Sequence, residues 1–156
     1  MPGFPSWWCV LKVKMVEISG KRDVVRIARA EGFIKLRKET VEKLRKGEIK
    51  KGDVVAAAQI AAIQAVKRTW EIIPLCHPIP ITGVNVKLTV EDDGVRAVVT
   101  VTAVAKTGVE MEALTGVSVA LLTIWDMVKA YEKDDRGQYP HTSIEEIKVL
   151  EKIKHD

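Results

Sequence analysis

Residues 83–106 read GVNVKLTVEDDGVRAVVTVTAVAK, and this stretch decides the fold. Val84, Val86, Leu88 and Val90 alternate with polar residues, the period of a strand with one buried face. Asp92, Asp93 and Gly94 form a turn signal, and the Val- and Thr-rich run after them returns as a second strand. A long antiparallel hairpin is therefore the most secure supersecondary unit in the chain.

Working outward, a helix is predicted over about 109–131, with Met111, Leu114, Val117, Leu121, Trp125 and Val128 on its apolar face. Upstream, Asp53 is an N-cap candidate for a second long helix, VVAAAQIAAIQAVKRTW, that stops before Pro74. Gln64, Lys67, Arg68 and Glu71 share its polar face. Residues 24–38, VVRIARAEGFIKLRK, alternate and contain Gly32, which favours a strand, although Ala and Arg favour a helix. MVEIS (15–19) reads as a short strand. KETVEKLRKGE (38–48) reads as a short helix with Thr40 as its cap and Gly47 as its end. After a polar loop, EEIKVLEKIK (145–154) suits a closing strand or a short helix. The order strand, helix, strand, strand, helix, strand predicts an α+β sandwich, an antiparallel sheet with helices on one face.

The 156 residues suit one domain, assigned to 15–156, with 1–14 as an atypical N-terminal extension. No apolar run is read as long enough to cross a membrane, and the start lacks the marks of a signal peptide. Two cysteines, Cys9 and Cys76, cannot build a disulfide framework, so a reducing cytoplasm is the expected compartment. The net charge of +4 is spread among acids, which suits an acidic small molecule at least as well as nucleic acid.

Four stretches carry chemistry. PLCHPIP (74–80) holds Cys76 and His77 between prolines. Adjacent side chains point apart in extended chain, which disfavours a metal pair or a nucleophile with its base within one subunit. A proline-stiffened turn explains Cys76 but not His77, whose pKa lies near neutrality and suits binding or proton transfer. KTGVEMEALTG (106–116) places Glu110 and Glu112 in a first helical turn. Acids complement the helix dipole there, while a carboxylate such as Glu112 also accepts from the paired N–H donors of a guanine edge. In DMVKAYEKD (126–134), Asp126 and Lys129 meet at i, i+3, as a surface ion pair or as an acid/base pair. KKGD (50–53), with Lys67 and Arg68 beyond it, reads either as solvated lysines or as cations for phosphates, and the usual glycine-rich nucleotide motifs are absent from the sequence.

Taken together and in this order, KGD (51–53), KRTWEIIPLCHP (67–78), KTGVEMEALTG and DMVKAYEKD closely resemble the molybdenum cofactor biosynthesis protein C family, the cyclic pyranopterin monophosphate synthases. The likeness runs from about Met15 to the C-terminus. It implies a ferredoxin-like fold and a lyase that converts 3′,8-cyclo-7,8-dihydro-GTP to cyclic pyranopterin monophosphate with release of pyrophosphate. It also implies a homohexamer, a trimer of dimers, with active sites at subunit interfaces. By motif, Asp126, Lys129 and Lys51 are the expected catalytic residues. Leu75, Cys76, His77, Met111, Glu112, Lys67 and Arg26 are the expected substrate contacts. Lys129, made more acidic by neighbouring cations, is the expected acid/base. No metal ligand and no cofactor are implied, and Mg²⁺ assistance to pyrophosphate loss is left open. The chain departs from the family pattern at Glu17, where the family has Asp, and in lacking a Gly/Ser/Lys-rich tail.

Two rival readings are a ferredoxin-like oligomerising or nucleotide-binding module without catalysis, and a nucleic-acid-binding domain. The second wants a basic stripe with exposed aromatics, and Trp70 and Trp125 are expected on buried faces.

Overall fold

The computed structural model of the chain describes residue 3 and residues 12–156. Cys9 and most of the expected extension at 1–14 lie outside the described residues.

β1 is Val24–Lys35, α1 Lys38–Lys46, α2 Val54–Lys67, α3 Thr69–Ile72, β2 Ile81–Glu91, β3 Gly94–Ala105, α4 Glu110–Glu132 and β4 Ser143–His155. The four strands form one antiparallel sheet in the order β2-β3-β1-β4. This is the expected βαββαβ, ferredoxin-like α+β arrangement, with the β2–β3 hairpin closed at Asp92 and Asp93.

Alternation in β1 and β3 splits the sheet into two faces. Ala28, Ala30 and Ile34 point with Val95, Ala97, Val99 and Val101 into the core, all between 0% and 2% exposed. α4 packs over β1 and β3, and α2 lies against α4 and β2. The other face carries charge pairs, including Arg29–Glu151 at 3.1 Å and Arg96–Glu31 at 3.3 Å. Small residues bring the layers close. A Cβ on Gly32 would stand 2.8 Å from Leu121 and Val117, and one on Gly116 would stand 2.7 Å from Val66. The small residues of β1, Ala28, Ala30 and Gly32, are thus the seat for α4.

Asp53 caps α2 as expected, accepting from the Ala56 amide at 3.0 Å, and Gly47 ends α1 in the left-handed region at φ 67°. Several expectations are corrected. Thr40 does not cap α1; it is buried within the helix, and its hydroxyl donates to the Glu132 carboxylate. Glu132, itself fully buried, also accepts from the Arg37 amide at 3.2 Å and the Thr142 hydroxyl at 2.7 Å. It thereby ties α1, α4 and the start of β4 together. α2 ends at Lys67, with the short α3 between it and Pro74. MVEIS is not a strand: it joins none of the four sheet strands, and the Val16 carbonyl is engaged by His77. Alternation without a partner edge does not make a ladder.

α4 is, among the described residues, a helix long and apolar enough by composition to cross a bilayer, contrary to the reading of the sequence. Its charges cluster at the two ends and leave 113–125 uncharged. The apolar middle is spent on the core, where Ala113, Val117, Ala120, Leu121, Ile124 and Val128 are fully buried. Met111, 37% exposed, lies off this stripe, and Trp70, expected to be buried, is 45% exposed.

Candidate active site

The expected site residues fall into two clusters at opposite ends of α4. The first is built on Asp126. The i, i+3 spacing brings Lys129 Nζ to Asp126 Oδ1 at 3.0 Å. Lys51, in the connection between α1 and α2, reaches Asp126 Oδ2 at 3.1 Å and the Asp126 backbone carbonyl at the same distance. One carboxylate thus holds two ammonium groups. Hydrogen bonds from Lys129 and then from Lys51 push the Asp126 pKa below the ordinary carboxylate range. The same bond raises the Lys129 pKa above the usual lysine value. This corrects the expectation of a more acidic Lys129: within one chain its immediate partner is a carboxylate. Lys129 is therefore held as an ammonium, a group able to donate a proton or to hold an anion. Beside it Leu122, Trp125 and Ile144 wall an open depression of about 370 Å³.

The second cluster gathers at the N-terminal end of α4. The turn after α3 and the first turn of α4 enclose about 170 Å³, lined by Leu75, Cys76, His77, Met111, Glu112 and Glu110. The turn is closed by the Cys76 amide donating to the Ile73 carbonyl at 3.1 Å. Glu112 is 3% exposed, and burial pushes its carboxyl pKa up, with the Glu110 charge adding to the effect. Burial first, then Glu112 and Glu110, also raises the Cys76 thiol. Cys76 is therefore a neutral thiol at neutral pH, not an activated nucleophile. His77 Nε2 lies 2.6 Å from the Val16 carbonyl oxygen, which can only accept, so Nε2 is the donor in that bond.

Arg26 and Lys67 belong to this same end. Arg26 is 7% exposed and donates from Nε to the Ala105 carbonyl at 3.3 Å and from Nη2 to the Lys106 carbonyl at 3.1 Å. It lines a cavity of about 280 Å³ together with Lys21, Arg22 and Lys154. Lys67 is exposed at the last turn of α2, next to Val66, which packs on Gly116 of α4.

Sequence reasoning missed two residues. Glu110, read only as a dipole-complementing acid, lines the cavity, and its Oε2 is buried without a hydrogen-bond partner. Lys152 of β4 pairs with Glu110 Oε1 at 3.2 Å. The signal for Glu110 was present in KTGVEMEALTG; nothing local marks Lys152, whose partner is distant in sequence.

One chain does not bring Lys51, Lys67, His77 and Lys129 into a single cavity. From Glu112 to Asp126 the α-helical rise spans about 21 Å. The largest cavity described, about 560 Å³ between the end of α1 and the start of α2, contains none of these side chains. Among the described residues no three His, Cys, Asp or Glu side chains are grouped to hold a metal ion.

Comparison with known proteins bears on all of these motifs. A model of the MoaC family matches residues 15–154. The chain is 62% identical over 144 residues to a Pyrococcus furiosus protein named "Probable cyclic pyranopterin monophosphate synthase", covering 92% of each chain. It is 60% identical over 140 residues to a Sulfolobus acidocaldarius protein of the same name, covering 90% of this chain and 98% of the relative. A Methanothermobacter thermautotrophicus protein named as a synthase accessory protein is 62% identical over 142 residues, covering 91% of this chain and 89% of the relative. With a family match across nearly its whole length and relatives of this identity, the chain belongs to the MoaC family.

Proposed function

We propose that this protein is a cyclic pyranopterin monophosphate synthase of molybdenum cofactor biosynthesis. It is a lyase that takes 3′,8-cyclo-7,8-dihydro-GTP and releases pyrophosphate. The observation that carries this reading is the Asp126 carboxylate bridging Lys51 and Lys129 at 3.1 and 3.0 Å, in a chain 62% identical to a relative named for that activity. A triphosphate substrate needs cations, ring opening needs a proton donor, and this cluster has both in reach of one depression.

In this reading Lys129 donates a proton, and Asp126 orients it. Lys51, Lys67 and Arg26 neutralise the triphosphate and the departing pyrophosphate. Glu112 and Glu110 accept from the guanine-derived edge. A ribose-derived hydroxyl attacks the α-phosphorus, and the bond to pyrophosphate breaks. No cofactor is assigned.

The site is completed by self-association. A cavity of about 170 Å³ is small for a nucleotide, while typical ligand pockets span about 300–1,000 Å³. Leu122, 56% exposed, leaves an apolar surface beside Asp126 and Lys129. A second copy covering it joins one chain's lysine cluster to the other's His77 cavity, within a homohexamer in the cytoplasm. A small nucleotide-derived molecule, rather than a nucleic acid, is assigned as the ligand.

The name of the Methanothermobacter relative favours a second reading, a substrate-binding accessory without turnover. One assay separates the two: pyrophosphate release from freshly made cyclised dihydro-GTP. A synthase releases it with a pterin product, and Lys129→Ala lowers kcat by about 100-fold or more with KM within a few-fold. Binding without release by a folded oligomer refutes the synthase reading.

A further inference from the structure

Lys51 sits on neither long helix but in the connection between α1 and α2. That connection turns at two glycines with positive φ, Gly47 at 67° and Gly52 at 112°. Such backbone is free to move unless something outside it holds it. Yet Lys51 Nζ makes two 3.1 Å contacts to Asp126. The hold comes from α4. The Lys50 amide donates to the Tyr131 hydroxyl oxygen at 2.8 Å. Tyr131 lies on the same helix as Asp126, so carboxylate and hydroxyl move as one rigid unit. The Tyr131 ring is itself seated, with the Lys43 ammonium 5.3 Å from its centroid. Ile49, on the other side of Lys50, is buried at 7% exposure.

We propose that the Tyr131 hydroxyl is the positioning group for Lys51, anchoring the α1–α2 connection through the Lys50 amide so that the Lys51 ammonium is delivered to Asp126. This rests on the reading of Lys51, Asp126 and Lys129 as the reacting cluster. Tyr131 contacts no reacting atom; it acts through backbone.

Tyr131→Phe removes one oxygen and keeps the ring and its cation contact. The first readout is independent of activity: a carboxyl-¹³C NMR titration of Asp126 in the full-length protein. Asp126 faces Lys129 from α4 and Lys51 from the connection, while Tyr139 faces Lys129 from the loop before β4. Tyr131→Phe moves the Asp126 titration upward, towards its position in Lys51→Met, and speeds amide exchange at Lys50. The second readout is pyrophosphate release, where kcat falls about 5- to 20-fold with KM within about twofold. In a Lys51→Met background Tyr131→Phe adds less than about twofold, because nothing is left to position. A wild-type Asp126 titration and kcat in Tyr131→Phe overturn the proposal, as does a full further loss on top of Lys51→Met. An inactive wild-type protein whose Asp126 still responds to Tyr131→Phe overturns the synthase reading and leaves the anchor standing.

Discussion

The sharpest contrast at the scale of single residues is between two carboxylates displaced in opposite directions. Asp126, hydrogen-bonded first by Lys129 and then by Lys51, stays ionised below the ordinary range. Its pairing favours the folded state above the ordinary Asp pKa and is lost as pH falls through the depressed value. The side chain is half exposed, so its part in stability is small. Glu112 runs the other way. Its folded-state pKa is raised by burial, so between the ordinary carboxylate pKa and the raised one the folded chain holds the extra proton. Stability therefore falls as pH climbs through that window and stays lower above it. Glu112→Gln is expected to melt above the wild type at neutral pH, with the difference gone below the ordinary carboxylate range, while losing at least about tenfold in kcat/KM. Thermal melts from pH 3 to 8 beside the pyrophosphate assay check both halves. A variant that melts lower at neutral pH would show that Glu112 is a stabilising ion in the fold. Glu112 was legible in KTGVEMEALTG; its burial was not, because the turn of Cys76 and His77 that covers it comes from a distant part of the chain.

At the scale of elements, the hairpin and the two long helices were readable because each carries its own period. β4 was not, and its geometry explains why. Ile144, Ile147, Leu150 and Ile153 recur every third residue, which imitates a helix face. In the sheet the pairing slips twice, between Arg29 and Ala30 and between Glu31 and Phe33 on β1. Each slip inserts a residue into β4, and Glu146 takes a positive φ of 56° at one of them. A strand with two bulges loses the period of two. The bulges and the lysines at 148, 152 and 154 also blunt an edge strand against unwanted pairing. α4 has the reverse character: one apolar stripe set against closely packed small residues. Leu121 is fully buried, against Gly32 on β1. Leu121→Ala is expected to cost about 2–5 kcal/mol in urea unfolding, since neighbours this tightly packed cannot collapse into the gap. A cost below about 1 kcal/mol would mean that the α4–sheet layer is loosely packed.

At the scale of the whole molecule, α4 keeps the two clusters apart. Its rigid rise holds Glu112 and Asp126 about 21 Å from each other, so no side-chain motion merges them within one chain. A site shared between copies is tested by mixing. His77→Ala and Lys129→Ala homo-oligomers are each expected to be inactive. After co-refolding, heterodimers contain one intact site in two, and activity returns to roughly a quarter of wild type on random pairing. No recovery in a mixture shown to exchange subunits would require both clusters to act from one chain.

The sequence by itself determined the hairpin, the two long helices, the Asp53 and Gly47 helix ends and the Asp126–Lys129 pair, because each is set by contacts within a few residues. Through the family's motifs it also marked the residues now found at both clusters. Tertiary structure alone decided what depends on distant partners. It brought Lys51 to Asp126, laid Val16 over His77, set Lys152 on Glu110 and buried Glu132 among three elements.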